Sequence, residues 1–279
     1  MFTTVDQTGN QITLRARPGR IVSLVPSQTE LLDYLGLEDE VIGITKFCVH
    51  PQSWFRSKTR IGGTKAVDIN KVKMLNPDLI IANKEENVKE QVEALQQIAP
   101  VWVSDINNLD DACNMIQKIG EMTGKMEVSQ QLALQIQTAF NALGGLGQFA
   151  GHLLKQSTNS PNIAYLIWRE PFITVGRDTF INDMIKQCGF KNVFENETRY
   201  PQITLEEITV LNCKYIFLSS EPYPFKPKHA DEIRQALPGM ETIFVDGEMF
   251  SWYGSRLLLA AQYFKELKES LNSRERFVV

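Results

Sequence analysis

Two stretches of this chain, Ile69–Glu86 (INKVKMLNPDLIIANKEE) and Leu205–Pro222 (LEEITVLNCKYIFLSSEP), align without a gap at an offset of 136 residues. Ile69, Val72, Leu75, Asn76 and Ile80 face Leu205, Ile208, Leu211, Asn212 and Ile216. Each copy has apolar residues at helical spacing followed by a short apolar run, the signature of a helix leading into a buried strand. A capping residue precedes each helix, Asp68 or Thr204, and Thr204 with Glu207 spells a capping box. A helix–strand unit present once in each half predicts two related lobes rather than one large domain.

The rest of the chain alternates in the same way. Ile21, Val22, Leu24 and Val25 form a nearly continuous apolar run, as expected for a parallel strand covered on both faces. Ser27-Gln28-Thr29-Glu30 reads as a capping box that opens a helix at the strand's carboxyl end. Further strands are predicted over 41–45, 79–83 and 101–104, with helices over 69–75, 88–98 and 109–122. In the second half, strands over 163–168, 215–219 and 243–245 alternate with helices over 178–188, 205–211, 228–237 and 255–271. Such alternation marks doubly wound parallel sheets. The N-terminus reads as a hairpin turning at Thr8-Gly9-Asn10.

Between the halves lies KMEVSQQLALQIQTAFNAL, in which Val128, Leu132, Ile136, Phe140 and Leu143 fall on one helical face. No Pro or Gly interrupts it before Gly144-Gly145, so the joint is predicted to be a stiff rod rather than a flexible linker. The expected organisation is an N-terminal α/β lobe over 1–123, the backbone helix and linker over 124–160, and a C-terminal α/β lobe over 161–279. The fold class is α/β: two Rossmann-like lobes with mostly parallel sheets, joined by one long rigid helix, with a ligand cleft between the lobes.

Composition narrows the function. A net charge of −4 with no dense Lys/Arg stripe gives no support for nucleic-acid binding. No apolar run approaches the roughly 20 residues that span a bilayer, so no direct membrane insertion is expected. The first residues show no basic segment followed by an apolar one, so no signal peptide is visible. Cys48, Cys113, Cys188 and Cys213 lack zinc spacing, and the last three read as buried thiols. His50, His152 and His229 are scattered, so no metal site is expected. GGLGQFAG does not follow a strand and is not a dinucleotide fingerprint.

In open α/β sheets ligands bind beyond the carboxyl ends of the strands. In the first lobe those exits hold Ser27, Phe47, Cys48, His50, Gly63, Thr64, Asn83 and Lys84. In the second they hold Trp168, Arg169, Tyr200, Glu248, Trp252 and Tyr253. Aromatic surface at strand ends suits a large flat or apolar ligand; Trp54, near one exit, is equally suited to packing its own loop. Cys48-x-His50 would share one face in extended backbone, but no orienting group or oxyanion hole accompanies it, which argues against an enzyme.

RIVSLVPSQTELL, the GGT segment followed by PDLIIA, the central helix, GRDTFINDMIKQCGFKNVF and SRLLLAAQYF together resemble the helical-backbone class of ABC-importer substrate-binding proteins. That class binds cobalamin, ferric siderophores and haem, and the likeness is nearest to its cobalamin-binding members. The resemblance covers almost the whole chain after the hairpin. It implies a monomeric, non-catalytic protein of the periplasm or cell envelope that holds a metal-chelate ligand and delivers it to a permease. It places pocket aromatics near Phe47 or His50 and at Tyr200, with Glu248 near the ligand. Asn83 stands where the pattern has an aromatic, and Gly63 lies near another such position. The family docks on its permease through one exposed glutamate per lobe; Glu206 fits that role, whereas its repeat partner is Asn70, with Asp68 two residues away. The alternative is a cytoplasmic corrinoid or metal-tetrapyrrole binding or salvage protein.

Overall fold

The computed structural model describes residues 1–143 and 160–275, and the side chains of 1–143 and 160–273. The predicted hairpin forms from β1 (Phe2–Val5) and β2 (Gln11–Leu14). Then follow β3 (Ile21–Ser23), α1 (Pro26–Tyr34), β4 (Val41–Ile44), α2 (Gln52–Ser57), β5 (Thr59–Arg60), β6 (Gly62–Gly63), β7 (Ala66–Val67) and α3 (Ile69–Leu75). After these come β8 (Leu79–Asn83), α4 (Lys89–Gln96), β9 (Val101–Ser104), α5 (Leu109–Thr123) and α6 (Met126–Leu143). The second half contains β10 (Asn162–Leu166), β11 (Phe172–Ile173), α7 (Phe180–Gln187), β12 (Lys191–Asn192), β13 (Gln202–Ile203) and α8 (Leu205–Val210). It ends with β14 (Tyr215–Ser219), α9 (Pro227–Ala236), β15 (Glu241–Val245), α10 (Gly247–Ser251) and α11 (Leu257–Glu275).

These elements form two compact units. The first comprises Met1–Ile106, Asp110–Gln135 and Trp252–Arg256; the second takes the described residues of Asn107–Leu109, Ile136–Ser251 and the segment from Leu257. The first is built on a five-stranded parallel sheet ordered β5-β4-β3-β8-β9. The second is built on a four-stranded parallel sheet ordered β12-β10-β14-β15. β8 and β14 are buried along their whole length, as parallel strands covered on both faces must be. The fold is α/β with parallel sheets, as the alternation predicts.

The repeat is structural. β14 starts and ends 136 residues after β8, and the equivalent strands β3 and β10 flank them in parallel. Asp68 and Thr204 both cap their helices, accepting from the backbone N–H of Lys71 and Glu207. The shared Leu-Asn pair has a conformational cause: Asn76 and Asn212 both adopt left-handed backbone, φ 45° and 50°. Asparagine tolerates that region better than most side chains.

Two local expectations are corrected. α1 carries no capping box: its N-cap is Val25 without a side-chain bond, and Pro26 opens the helix. Pro lacks an N–H and is pre-set for the first helical position, while Glu30 is engaged by Arg256 instead. On α6 the buried stripe runs through Ser129, Leu132, Ala133, Ile136 and Phe140, and Val128 is exposed. The reason lies at Gly120 of α5, where an added Cβ would come within 1.9 Å of Ser129 Oγ. Small-on-small packing brings the two helices together there and turns Ser129, not Val128, inward. The Gly144-Gly145 stop and the predicted linker fall outside the described residues.

Candidate functional site

The carboxyl edge of the first unit's sheet is organised by buried polar side chains. Cys48 is fully buried, its sulfur accepting from Thr29 Oγ1 (3.0 Å) and lying 3.1 Å from Thr45 Oγ1. Burial pushes its thiol pKa up. The backbone here turns, with Cys48 N–H donating to Thr45 O. Cys48 and His50 therefore do not share a face: the thiol sits between two threonines, while the imidazole packs edge-on against Trp252 at 5.7 Å. No nucleophile–base pair is formed by these two. Phe47 and Val49, by contrast, are 51% and 40% exposed.

Asn83, at the end of β8, is buried. Its Nδ2 donates to Ser104 O and Oγ, and its Oδ1 accepts from the N–H groups of Glu85 and Glu86. Its bonding capacity is divided between the end of β9 and the exit loop. Lys84 is exposed and bonds Asp105 at 2.6 Å. Thr64 is half-buried, and its carbonyl accepts from Asn87 Nδ2. Gly63 is buried directly beneath the Phe47 ring. Ser27 is buried in the first turn of α1. Trp54 is 1% exposed, with the Lys58 ammonium 5.4 Å from its ring centroid.

The segment Trp252–Arg256 packs as part of this first unit. Arg256 makes a fork to Glu30 (2.6 and 2.9 Å), and its guanidinium lies 4.6 Å from the Trp252 ring centroid. Such a bidentate pair is geometrically specific. Tyr253 Oη donates to Glu86 Oε1 at 2.9 Å, and burial together with that carboxylate raises the phenol pKa well above its ordinary value. Trp252 and Tyr253 are thus buried, at 7% and 5% exposure. Glu30, Glu86 and Arg256 are the anchors that sequence reasoning did not find. Their partners lie 226 and 167 positions away, beyond the reach of any local pattern.

In the second unit Trp168 is 41% exposed and packs edge-on against Tyr223. Arg169 is bound to Glu170 and Glu232. Tyr200 is exposed, with the Arg199 guanidinium 5.7 Å from its ring centroid. Arg199 N–H donates to Asp178 Oδ1, which holds that carboxyl below its usual range. Glu248 is half-buried in α10, its N–H donating to Asp246 Oδ1. That short helix is fixed to the β14 exit by Gly247 N–H on Ser220 Oγ and by Ser251 Oγ on Glu221 Oε1.

Among the described residues no group of three or more His, Cys, Asp or Glu side chains is placed to hold a metal ion. His152 lies outside those residues. All four cysteines are free; burial pushes Cys113 up to about 12 and the half-buried Cys213 up to about 11. No described helix is long and apolar enough to cross a membrane. Glu206 is exposed at the second position of α8, Asn70 is exposed at the same position of α3, and Asp68 is half-buried.

The sequence profile of the periplasmic binding protein family matches residues 21–242. The chain is 32% identical over 216 residues to YvrC, an uncharacterised ABC transporter substrate-binding lipoprotein of Bacillus subtilis. That match spans 75% of this chain and 66%, just under two thirds, of the relative. A vitamin B12-binding protein of Pectobacterium carotovorum is 24% identical over 249 residues, covering 88% of this chain and 87% of its own length. The solved molybdate periplasmic binding protein of Haemophilus influenzae shares the fold with a TM-score of 0.78, at 16% identity, over 98% of this chain and 92% of its own. With its profile matched from the first parallel strand to the start of the last, this chain belongs to the periplasmic binding protein family and is a binding protein, not an enzyme.

Proposed function

We propose that this chain is the substrate-binding subunit of an ABC-type importer, taking a metal chelate of the corrinoid or the haem and ferric-siderophore class. The observation that carries the reading is the exposure of Phe47, Trp168 and Tyr200 on loops around the parallel sheets. Most large aromatics elsewhere in the chain are buried. Exposed ring faces at the ligand edge of such sheets suit a broad apolar ligand, whose burial against them supplies affinity. The B12-binding relative points to the same class. A small oxyanion, to which the molybdate-binding neighbour points, would call for several uncommitted cations converging on one point. Here Arg169 and Lys84 are already bound to carboxylates.

The bound ligand is then handed to a membrane permease that docks on Glu206 of one unit and on Asp68 or Asn70 of the other. Purified protein titrated with cyanocobalamin, haemin, a ferric hydroxamate and molybdate, followed by visible spectra and binding heats, tests the reading. One of the three chelates is expected to saturate at a single site and to quench tryptophan fluorescence. Trp168→Ala is expected to weaken that ligand by about 1 kcal/mol or more. Saturation by molybdate with none of the chelates binding would overturn it.

A further inference from the structure

Three lysines stand on the loops at the carboxyl edge of the first unit's parallel sheet. Lys84 is bound to Asp105, and Lys65 Nζ donates to the Glu85 carbonyl. Lys46 is different. It is exposed, it makes no ion pair among the described residues, and its ammonium lies over the Phe47 ring, 5.1 Å from the centroid. Both side chains rest on Gly63, where an added Cβ would come within 3.1 Å of Phe47 Cε2 and 3.4 Å of Lys46 Cε. The bare glycine makes room for the ring and for the lysine stem whose ammonium lies over it. Val49 extends the apolar surface next to them.

A ring ligand lying against Phe47 would also cover Lys46. Taking an unpaired ammonium out of water is costly unless an opposite charge meets it. The ligand that covers this patch must therefore bring its own anion. Resting on the corrinoid or haem part of the ligand class proposed above, in which the ligand is a macrocycle, we propose that Lys46 is a specificity-determining residue that receives an anionic group at the rim of the ring system lying on Phe47. The ligand class is then an apolar macrocycle with a peripheral anion: the carboxylate of a porphyrin or the phosphodiester of a complete corrinoid.

The test uses the full chain and two pairs: haemin against its dimethyl ester, and cyanocobalamin against dicyanocobinamide, which lacks the phosphodiester together with the nucleotide it joins. The wild type is expected to bind the anion-bearing member of one pair three- to fivefold more tightly, the range of a partly exposed ion pair. Lys46→Gln should bring that ratio close to one, and Lys46→Arg should restore it. Because each variant is judged by a ratio of two ligands, a general loss of affinity does not imitate the result. Equal binding of both members by the wild type, or an unchanged ratio in Lys46→Gln, overturns the role of Lys46. Failure of every member of both pairs to bind overturns the macrocycle reading itself, and the proposal with it.

Discussion

The segments α3–β8 and α8–β14 have the same backbone and opposite surfaces. Val72 and Ile208 are fully buried, as are Ile80 and Ile216, and the left-handed asparagines fall at the same place. At the strand exits, Asn83 and Ser219 do the same work with different chemistry. The Asn83 side-chain Oδ1 accepts from two N–H groups of its loop, whereas the Ser219 hydroxyl donates to Glu221 O at 2.6 Å. Even Met74 and Val210, one per helix, are 77% and 80% exposed. What differs is charge: Asn70, Lys71 and Lys73 on α3 stand opposite Glu206, Glu207 and Thr209 on α8. The buried periodicity and the caps define the unit. Solvent-facing positions outside the caps carry little folding constraint and are free to take on separate partners.

The largest effect should come from the shared core. Ile80→Ala and Ile216→Ala each remove a fully buried side chain at the second position of an interior strand. Each is expected to cost about 3 kcal/mol, with the two values within about 1 kcal/mol of one another. Urea titration followed by circular dichroism reads both. A loss below about 1 kcal/mol in one of them would break the equivalence of the two cores.

The same contrast shows what the sequence could reveal. α3, β8 and β14 begin and end where apolar spacing, Asp68 and the Leu-Asn pairs place them, because each signal acts within a few residues. The capping-box reading of Ser27–Glu30 failed because a local motif competes with a distant partner, and the Arg256 guanidinium claims Glu30. Spacing alone puts Val128 on the buried face of α6; the contact that turns it outward, Ser129 on Gly120, depends on a second helix. Among the candidate site residues, Phe47, Trp168 and Tyr200 are exposed. The burial of Trp252 and Tyr253 is set by Glu30, Glu86 and Arg256, which only the folded chain brings together.

A smaller effect separates the two caps. Asp68 makes one backbone cap bond, to Lys71 N–H at 3.1 Å. Thr204 sits in a reciprocal box: Glu207 N–H donates to its hydroxyl, and its own N–H donates to Glu207 Oε2 at 2.6 Å. Asp68→Ala and Thr204→Ala should each cost about 1 kcal/mol. Glu207→Ala should add a loss in the second unit that Lys71→Ala does not reproduce in the first, since Lys71 contributes only a loose pair to Asp68 at 3.7 Å. Equal losses at Glu207 and Lys71 would remove the box as the distinction.

The smallest energies, and the clearest separation of function from fold, are expected at positions 70 and 206. Both side chains are exposed at the second position of their helices. Replacing either by Ala should leave stability within about 0.5 kcal/mol of wild type. Ligand affinity should also be unchanged. If the chain docks on a permease through a carboxylate, Glu206→Ala should weaken docking by up to about 1 kcal/mol, the range of an exposed ion pair, and Asn70→Ala should do less. The effect of Glu206→Ala should shrink as salt is raised, because screening acts on exposed charges first. Asn70→Glu then gives the first unit the carboxylate its repeat partner already has. Stronger docking by that variant would show that the permease offers a cation to both units. Weaker docking would show that the difference in charge between α3 and α8 is itself recognised. Equilibrium binding to a permease held in lipid nanodiscs, at two salt concentrations, distinguishes these outcomes. A salt-independent Glu206→Ala result equal to wild type would remove electrostatic docking at this helix.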